Sequence, residues 1–224
     1  VQLRTVTING SADELTSRLR TLVCSSPILM RALRAARTVD LPDWLIGAGV
    51  IRDRVWDHPH GFTPAPSKDV DLAFFDSLAL GSERERSVQR EVTAEAPDIS
   101  WDVTNQAAVH LCYPQVFGVE VEPLTSCADA VATWPETSTA IGVRLLADDG
   151  IQVVAPLGLD DLFGLICRRN PRRVTEEQYL RRVERLQVAK RWPRVQILDA
   201  AAVDTSQAMQ RSTPWFVRLR DGAT

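Results

Sequence analysis

Two aspartates one residue apart open the stretch Asp69-Val70-Asp71-Leu72-Ala73-Phe74-Phe75. Its apolar residues recur with the period of a strand. Side chains two positions apart on a strand share a face, so Asp69 and Asp71 are expected side by side, their Cα atoms about 7 Å apart. Val70, Leu72 and Phe74 then enter the core. Two ionised carboxylates this close repel each other unless a cation lies between them or both are well solvated. Hard oxygen ligands of this kind suit Mg²⁺ or Mn²⁺; an exposed acidic strand end is the plain alternative. Asp102, in Ile99-Ser100-Trp101-Asp102-Val103, adds a third carboxylate on a second predicted strand. If the two strands are neighbours, the three carboxylates form a two-metal site that aligns an attacking hydroxyl with a phosphoryl group.

A glycine turn supplies a second element. Trp44-Leu45-Ile46 reads as a short strand running into Gly47-Ala48-Gly49, with a helix over 50–57 directly behind it. Such a turn lets backbone amides approach a polyphosphate, and the helix N-terminus favours negative charge. Arg52, three residues past the turn, is placed either to reach a phosphate or to pair with Asp53.

The elements that must position these groups follow from the pattern. Ser11 and Glu14 have capping-box spacing before a helix over 12–23, and Pro27 opens a helix to Thr38. A loop is expected over 58–68, a strand over 69–75, a charged helix over 82–95 and a strand over 99–103. Strands 142–146 and 151–154 flank the hairpin signal Asp148-Asp149-Gly150. Helices are predicted over 159–167 and from Thr175 to before Pro193, while 195–224 is less readable. The expected fold class is α/β (α+β): a small mixed sheet flanked by helices, with residues 1–155 as the core and 156–224 as a C-terminal helical part.

Composition narrows the function. The 224 residues carry a formal charge of −3, which argues against a uniformly basic nucleic-acid coat. Yet residues 168–194 hold ten basic and three acidic residues, net +7, leaving −10 elsewhere. This segment is read as a solvated arginine face, with a steering surface for triphosphate or RNA as the functional alternative. No apolar run approaches the ~20 residues of a membrane helix. The four cysteines form no close pair, and no basic segment followed by an apolar one opens the chain, so reduced thiols and a cytoplasmic location are expected.

With these pieces in place, the sequence resembles the DNA polymerase β-like nucleotidyltransferase superfamily. Gly49-Val50-Ile51-Arg52-Asp53 is similar to the Gly-x-Val-Arg-Asp segment of tRNA-nucleotidyltransferase and poly(A) polymerase heads. More closely, the chain resembles a bacterial family of small nucleotidyltransferase-like proteins. The likeness runs through Gly47 to Gly61, Asp69-Val70-Asp71, Trp101 to Ala107, Trp134-Pro135-Glu136-Thr137 and Ala155 to Phe163, and covers roughly residues 12–194. Two departures stand out: nineteen residues separate Gly49 from Asp69, and Ala48-Gly49 replaces the frequent serine after the first glycine.

The resemblance implies an enzyme that moves a nucleoside monophosphate from an NTP to an acceptor hydroxyl and releases pyrophosphate. Asp69 and Asp71 would bind both Mg²⁺ (or Mn²⁺) ions. Asp102 would bind the ion that activates the acceptor hydroxyl, and take its proton. Gly47, Ala48, Gly49 and Arg52 would hold the triphosphate. The acceptor is left open between a small molecule, a protein and RNA. Alternatives are a catalytically weak nucleotide-binding or regulatory member, and a metal-dependent phosphohydrolase. His58 and His60 are expected in a loop closing over the nucleotide rather than as zinc ligands. Asn105 and Gln106 are read as buried amides fixing neighbouring loops, with nucleotide or acceptor contact as the alternative. His110 is read as a packed histidine, and Trp134 as either core or pocket wall.

Overall fold

A computed structural model of the chain describes residues 11–63 and 69–198. The predicted features at 64–68 and 199–224 lie outside the described residues. Five strands form one mixed sheet in the order β3-β2-β1-β4-β5: β1 (Trp44–Gly47), β2 (Val70–Phe74), β3 (Trp101–Asn105), β4 (Gly142–Leu145) and β5 (Ile151–Val154). β1 is antiparallel to β2 and β4, whereas β2 and β3 are parallel. β4 and β5 make the hairpin anticipated at Asp148-Asp149-Gly150.

One face of the sheet is the main core. Val70, Leu72 and Phe74 of β2, Trp44 and Ile46 of β1 and Trp101 of β3 are buried there. The helices α1 (Ala12–Cys24), α2 (Pro27–Thr38), α3 (Gly49–His60) and α4 (Ser82–Glu95) supply the other half of that core. α1 begins at Ser11, whose hydroxyl accepts from the Glu14 amide, and α2 begins at Ser26 with Pro27 in its first turn. The opposite face carries a smaller cluster, in which Leu45 and Ala73 pack against Trp134 and the short helix α6 (Cys127–Val131). It leaves the starts of β2 and β3 largely uncovered by apolar side chains.

Several elements differ from expectation. α3 runs on to His60, with Pro59 in its last turn, and ends on Gly61 in the left-handed region. β3 begins at Trp101 and continues into a 3₁₀ turn, Gln106–Ala108, and α5 (Val109–Phe117). The helix predicted over 159–167 is only α7 (Asp160–Phe163), followed by β6 (Ile166–Arg168). The predicted helix from Thr175 has the full capping box with Gln178, but it breaks at Gln187 (φ 51°) into α8 (Glu176–Leu186) and α9 (Val188–Arg191). β7 (Gln196–Leu198) then pairs in parallel with β6, so the C-terminal part is not purely helical.

The +7 segment is a solvated face only in part: Arg181, Arg185 and Lys190 are exposed as expected, whereas other arginines dock the segment onto the core. Arg168 pairs with Asp161 (2.8 Å), Arg172 with Asp129 (3.0 Å), Arg191 with Asp53 (2.8 Å), and Arg182 with Glu136. Trp192 completes this docking. Its fully buried ring meets Trp56 edge-on at 5.2 Å, and its Nε1 donates to Asp57 Oδ1 at 2.7 Å. Trp192→Phe keeps an aromatic ring but removes the indole N–H, stripping a buried carboxylate of its donor at about 1–3 kcal/mol, and adds the cost of the cavity the smaller ring leaves. Thermal denaturation should register a melting temperature lower by several degrees, without loss of secondary structure at 20 °C.

Candidate active site

Strand direction brings the site together. β1 ends where β2 and β3 begin, because it is antiparallel to β2 and β3 is parallel to β2. In that register Gly47 lies opposite Asp71, and Asp71 lies opposite Asp102. Val70 and Leu72 point into the main core, so alternation sends Asp69 and Asp71 to the other face. Trp101 and Val103 likewise pack on the core side, leaving Asp102 and Thr104 on the face of Asp71. Asp69 sits just ahead of β2 and accepts from the Ser100 hydroxyl at 2.8 Å.

The electrostatics are those of crowded like charges. Burial, Asp102 and Asp69 push the Asp71 carboxyl up to about 7, against the opposing pull of Arg182 and Arg52. Among the described residues, no three His, Cys, Asp or Glu side chains are placed so that together they could hold a metal ion. Three carboxylates on adjoining strands are nevertheless the oxygen-donor chemistry that hard divalent cations take, and positive charge there would relieve the repulsion at Asp71.

The glycine turn divides its tasks. A Cβ on Gly47 would stand 2.4 Å from Ile141 O and 2.7 Å from the Trp134 ring, so packing alone demands glycine here. Ala48 takes φ 57°, ψ −125°, strained for an L residue, and its amide donates to Ile141 O at 3.1 Å. A Cβ on Gly49 would meet only Arg52 Nη2, at 3.9 Å. No side chain caps the N-terminus of α3.

Arg52 lies beneath this turn and is 4% exposed. Its Nε and Nη2 donate to Asp53 Oδ1 at 3.0 and 2.7 Å, and its guanidinium lies 5.4 and 5.0 Å from the Trp56 and Trp192 ring centres. Nη1 has no hydrogen-bond partner and stands 3.8 Å from Glu136 Oε2. Glu136 itself is fully buried, accepting from Arg182 Nε and, at 2.9 Å, from the Thr139 hydroxyl. These cations hold the Glu136 carboxyl below its ordinary value despite its burial.

Other residues fall elsewhere. α3 carries His58 and His60 about 14 and 16 Å along its axis from the turn. His60 Nδ1 bonds Trp56 O (2.6 Å) and its Nε2 accepts from the Arg194 amide (3.2 Å). It is a clasp on the C-terminal segment rather than part of a nucleotide lid. Asn105 is the loop-fixing amide anticipated: its Oδ1 accepts from Asp76 N, and its Nδ2 donates to Asp76 O and Ala79 O. Trp134 is 4% exposed and packs on Gly47. The pattern reading placed the Trp134–Thr137 segment in a pocket wall or the core, but missed Arg182 as a site neighbour and the pairing of Glu136 with Arg52 and Arg182. Glu136 falls in an irregular loop, and α8's apolar face at Tyr179 and Val183 assigns Arg182 to solvent. The one available signal was a lone glutamate among Trp134, Pro135 and Thr137, facing a net-basic helix.

A family model described as Nucleotidyltransferase matches residues 34–197, a span that contains the turn and all three aspartates. The chain belongs to the nucleotidyltransferase family. A solved structure titled "The NMR structure of the protein reveals a CCA-adding enzyme head domain" is similar, with a TM-score of 0.69 and 25% identity over 87% of this chain and 98% of that one. No curated protein matches the sequence. The mixed sheet with flanking helices is therefore the architecture of a nucleotidyltransferase head domain, and the family activity is nucleotidyl transfer. No helix among the described residues is long and apolar enough to cross a membrane.

Three outcomes are expected for this nucleotidyltransferase. Asp71 has a raised value when folded, so the native state holds its proton longer than the unfolded chain does. Stability from this group is present below about pH 4 and is lost as pH rises towards 7. Metal-free Asp71→Asn should thus melt above wild type at pH 8, by about 2 kcal/mol or ~4–8 °C, with the gap closing towards pH 5. Gly47→Ala should destabilise by about 3 kcal/mol through overpacking. Gly49→Ala should leave the melting temperature within about 2 °C of wild type while weakening tripolyphosphate binding, as read by calorimetry.

Proposed function

We propose that this protein is a divalent-metal-dependent nucleotidyltransferase that moves an NMP from an NTP to an acceptor hydroxyl, with release of pyrophosphate. The observation that carries this reading is the register Gly47–Asp71–Asp102, which sets a polyphosphate turn, a carboxylate and a second carboxylate on three adjacent strands. Asp69, Asp71 and Asp102 would hold Mg²⁺ (or Mn²⁺), which when bound neutralises phosphate charge and acidifies a hydroxyl.

The chain's own groups perform the rest. Amides of the uncapped first turn of α3 donate to phosphate oxygens, and Gly49 leaves them unobstructed. Arg52 and Arg182 add positive charge behind the turn, where pyrophosphate charge develops. Asp102, on edge strand β3, faces the side open to an acceptor and takes the hydroxyl proton. Attack of that oxygen on the α-phosphorus breaks the bond to the bridging oxygen, and pyrophosphate leaves towards the arginines. Residues 1–155 act as the catalytic core in this reading, and 156–224 dock Arg182 onto it. The acceptor class is a small molecule, a protein or RNA.

Incubation with α-labelled NTPs, Mg²⁺ and cell extract, followed by mass spectrometry and pyrophosphate assay, tests the reading. Label transfer with stoichiometric pyrophosphate is expected. Asp71→Asn and Asp102→Asn should each lose more than the roughly 10–100-fold that loss of an outer-sphere partner costs. Release of nucleotide and phosphate to water without an acceptor would instead identify a hydrolase.

A further inference from the structure

The site described so far accounts for phosphates, cation and hydroxyl, but not for the rest of a nucleotide. Among the described residues five buried side-chain polar atoms lack a partner: Arg52 Nη1, Gln106 Oε1, His110 Nδ1, Ser138 Oγ and Arg173 Nη1. Three of these five belong to one neighbourhood. Gln106, His110 and Tyr113 recur at i, i+4 and i+7 through the 3₁₀ turn and α5, so they share a face. The Arg173 guanidinium lies 5.4 Å over the Tyr113 ring, and its Nη2 is fixed on Glu122 O at 3.0 Å.

The position of this neighbourhood is informative. Gln106 lies four residues beyond Asp102, at most about 13 Å along the strand direction. Asp102 and Thr104 face the catalytic side, and the chain then turns into the helix bearing Gln106 and His110. Arg172, next to Arg173, pairs with Asp129 of α6, so the opposite wall is the helix that covers Ala73. A run along this face passes from the cationic end at Arg52 and Arg182, over the carboxylates, to the unpartnered groups. That order matches triphosphate, α-phosphorus, nucleobase.

The chemistry also points to a base. Gln106 is 3% exposed with its Oε1 unpartnered, and a buried acceptor left unpaired is costly unless a partner arrives. An amide acceptor, a guanidinium donor and an imidazole nitrogen complement the alternating donors and acceptors of a nucleobase edge. Burial pulls the Arg173 guanidinium below its ordinary value, so an acceptor there would be favoured. Asn105, the adjacent amide, is fully engaged in holding the 76–79 loop, so Gln106 is distinguished from it by having no such task.

We infer that Gln106, His110 and Arg173 form the subsite that binds the nucleobase of the incoming NTP. The inference rests on the nucleotidyltransferase reading, and one experiment separates the two. Calorimetry with Mg²⁺ compares four non-hydrolysable NTPs with inorganic tripolyphosphate, which has no base. Wild type should bind at least one NTP about tenfold or more tighter than tripolyphosphate. Gln106→Leu should abolish that difference and leave tripolyphosphate affinity within about twofold. The variant should melt no lower than wild type, since an unpartnered amide is replaced by an apolar group of similar size. His110→Phe, as the second variant, should narrow the same difference. NTP affinities equal to wild type in both variants would overturn the subsite. Failure of wild type to bind either NTP or tripolyphosphate with Mg²⁺ would overturn the nucleotidyltransferase reading, and the subsite with it.

Discussion

One buried carboxylate organises much of this molecule. Glu136 has no solvent exposure, and an unpaired charge there would cost several kcal/mol. Two arginines from distant segments offset that cost: Arg182 of α8 and, at 3.8 Å, Arg52 of α3. The loop from Trp134 to Ala140, the helix behind the glycine turn and the C-terminal helix are thereby held to one another. Trp134 and Ile141 then press on Gly47, so the shape of the turn depends on where this loop is pinned. The same two cations oppose the repulsion among the aspartates at Asp71. A buried ion pair is weak support for stability by itself, yet breaking one is costly. Here it fixes charge beside a site that handles charge.

The site's layout follows from strand order. A parallel pair, β2 and β3, starts at one end of the sheet, and an antiparallel β1 delivers its turn to that end. Apolar alternation keeps Val70, Leu72, Trp101 and Val103 in the core and turns the aspartates outward. Among the described residues, the apolar cover of the opposite face is a small cluster around Trp134 and α6, away from the carboxylates of β2 and β3. The C-terminal segment closes the other side of α3 through Trp192, Arg191 and Arg194, so the helix after the turn is held along its length.

What could be read from the sequence was local and periodic. Alternation around Asp69 and Asp71, the turn at Gly47 and the strand bearing Asp102 were legible because a strand's period is carried by neighbouring residues. That Asp102 is in register with Asp71 is a tertiary fact, which the pattern could state only as a condition. Arg52 was legible as a charged residue near the turn, but its burial between Trp56 and Trp192 depends on a segment 140 residues away. Arg182 looked solvent-facing because its helix has a separate apolar face, and Glu136 gave no period at all. His60 looked like a loop residue because Pro59 suggests a break. Its helix continues there because proline in the last turn removes little that the Gly61 cap does not restore.

The central claim is that Asp71 is poised between neighbouring carboxylates and a cation that must displace its proton. Calorimetric titration of a preformed Mg²⁺ complex of a non-hydrolysable NTP, in two buffers of different ionisation enthalpy, counts the protons released. With Asp71 near 7, binding at pH 6 should release about one proton per complex, falling towards none at pH 8. Binding at pH 6 without proton release, or undiminished binding of the NTP when Mg²⁺ is removed by chelation, would contradict the account.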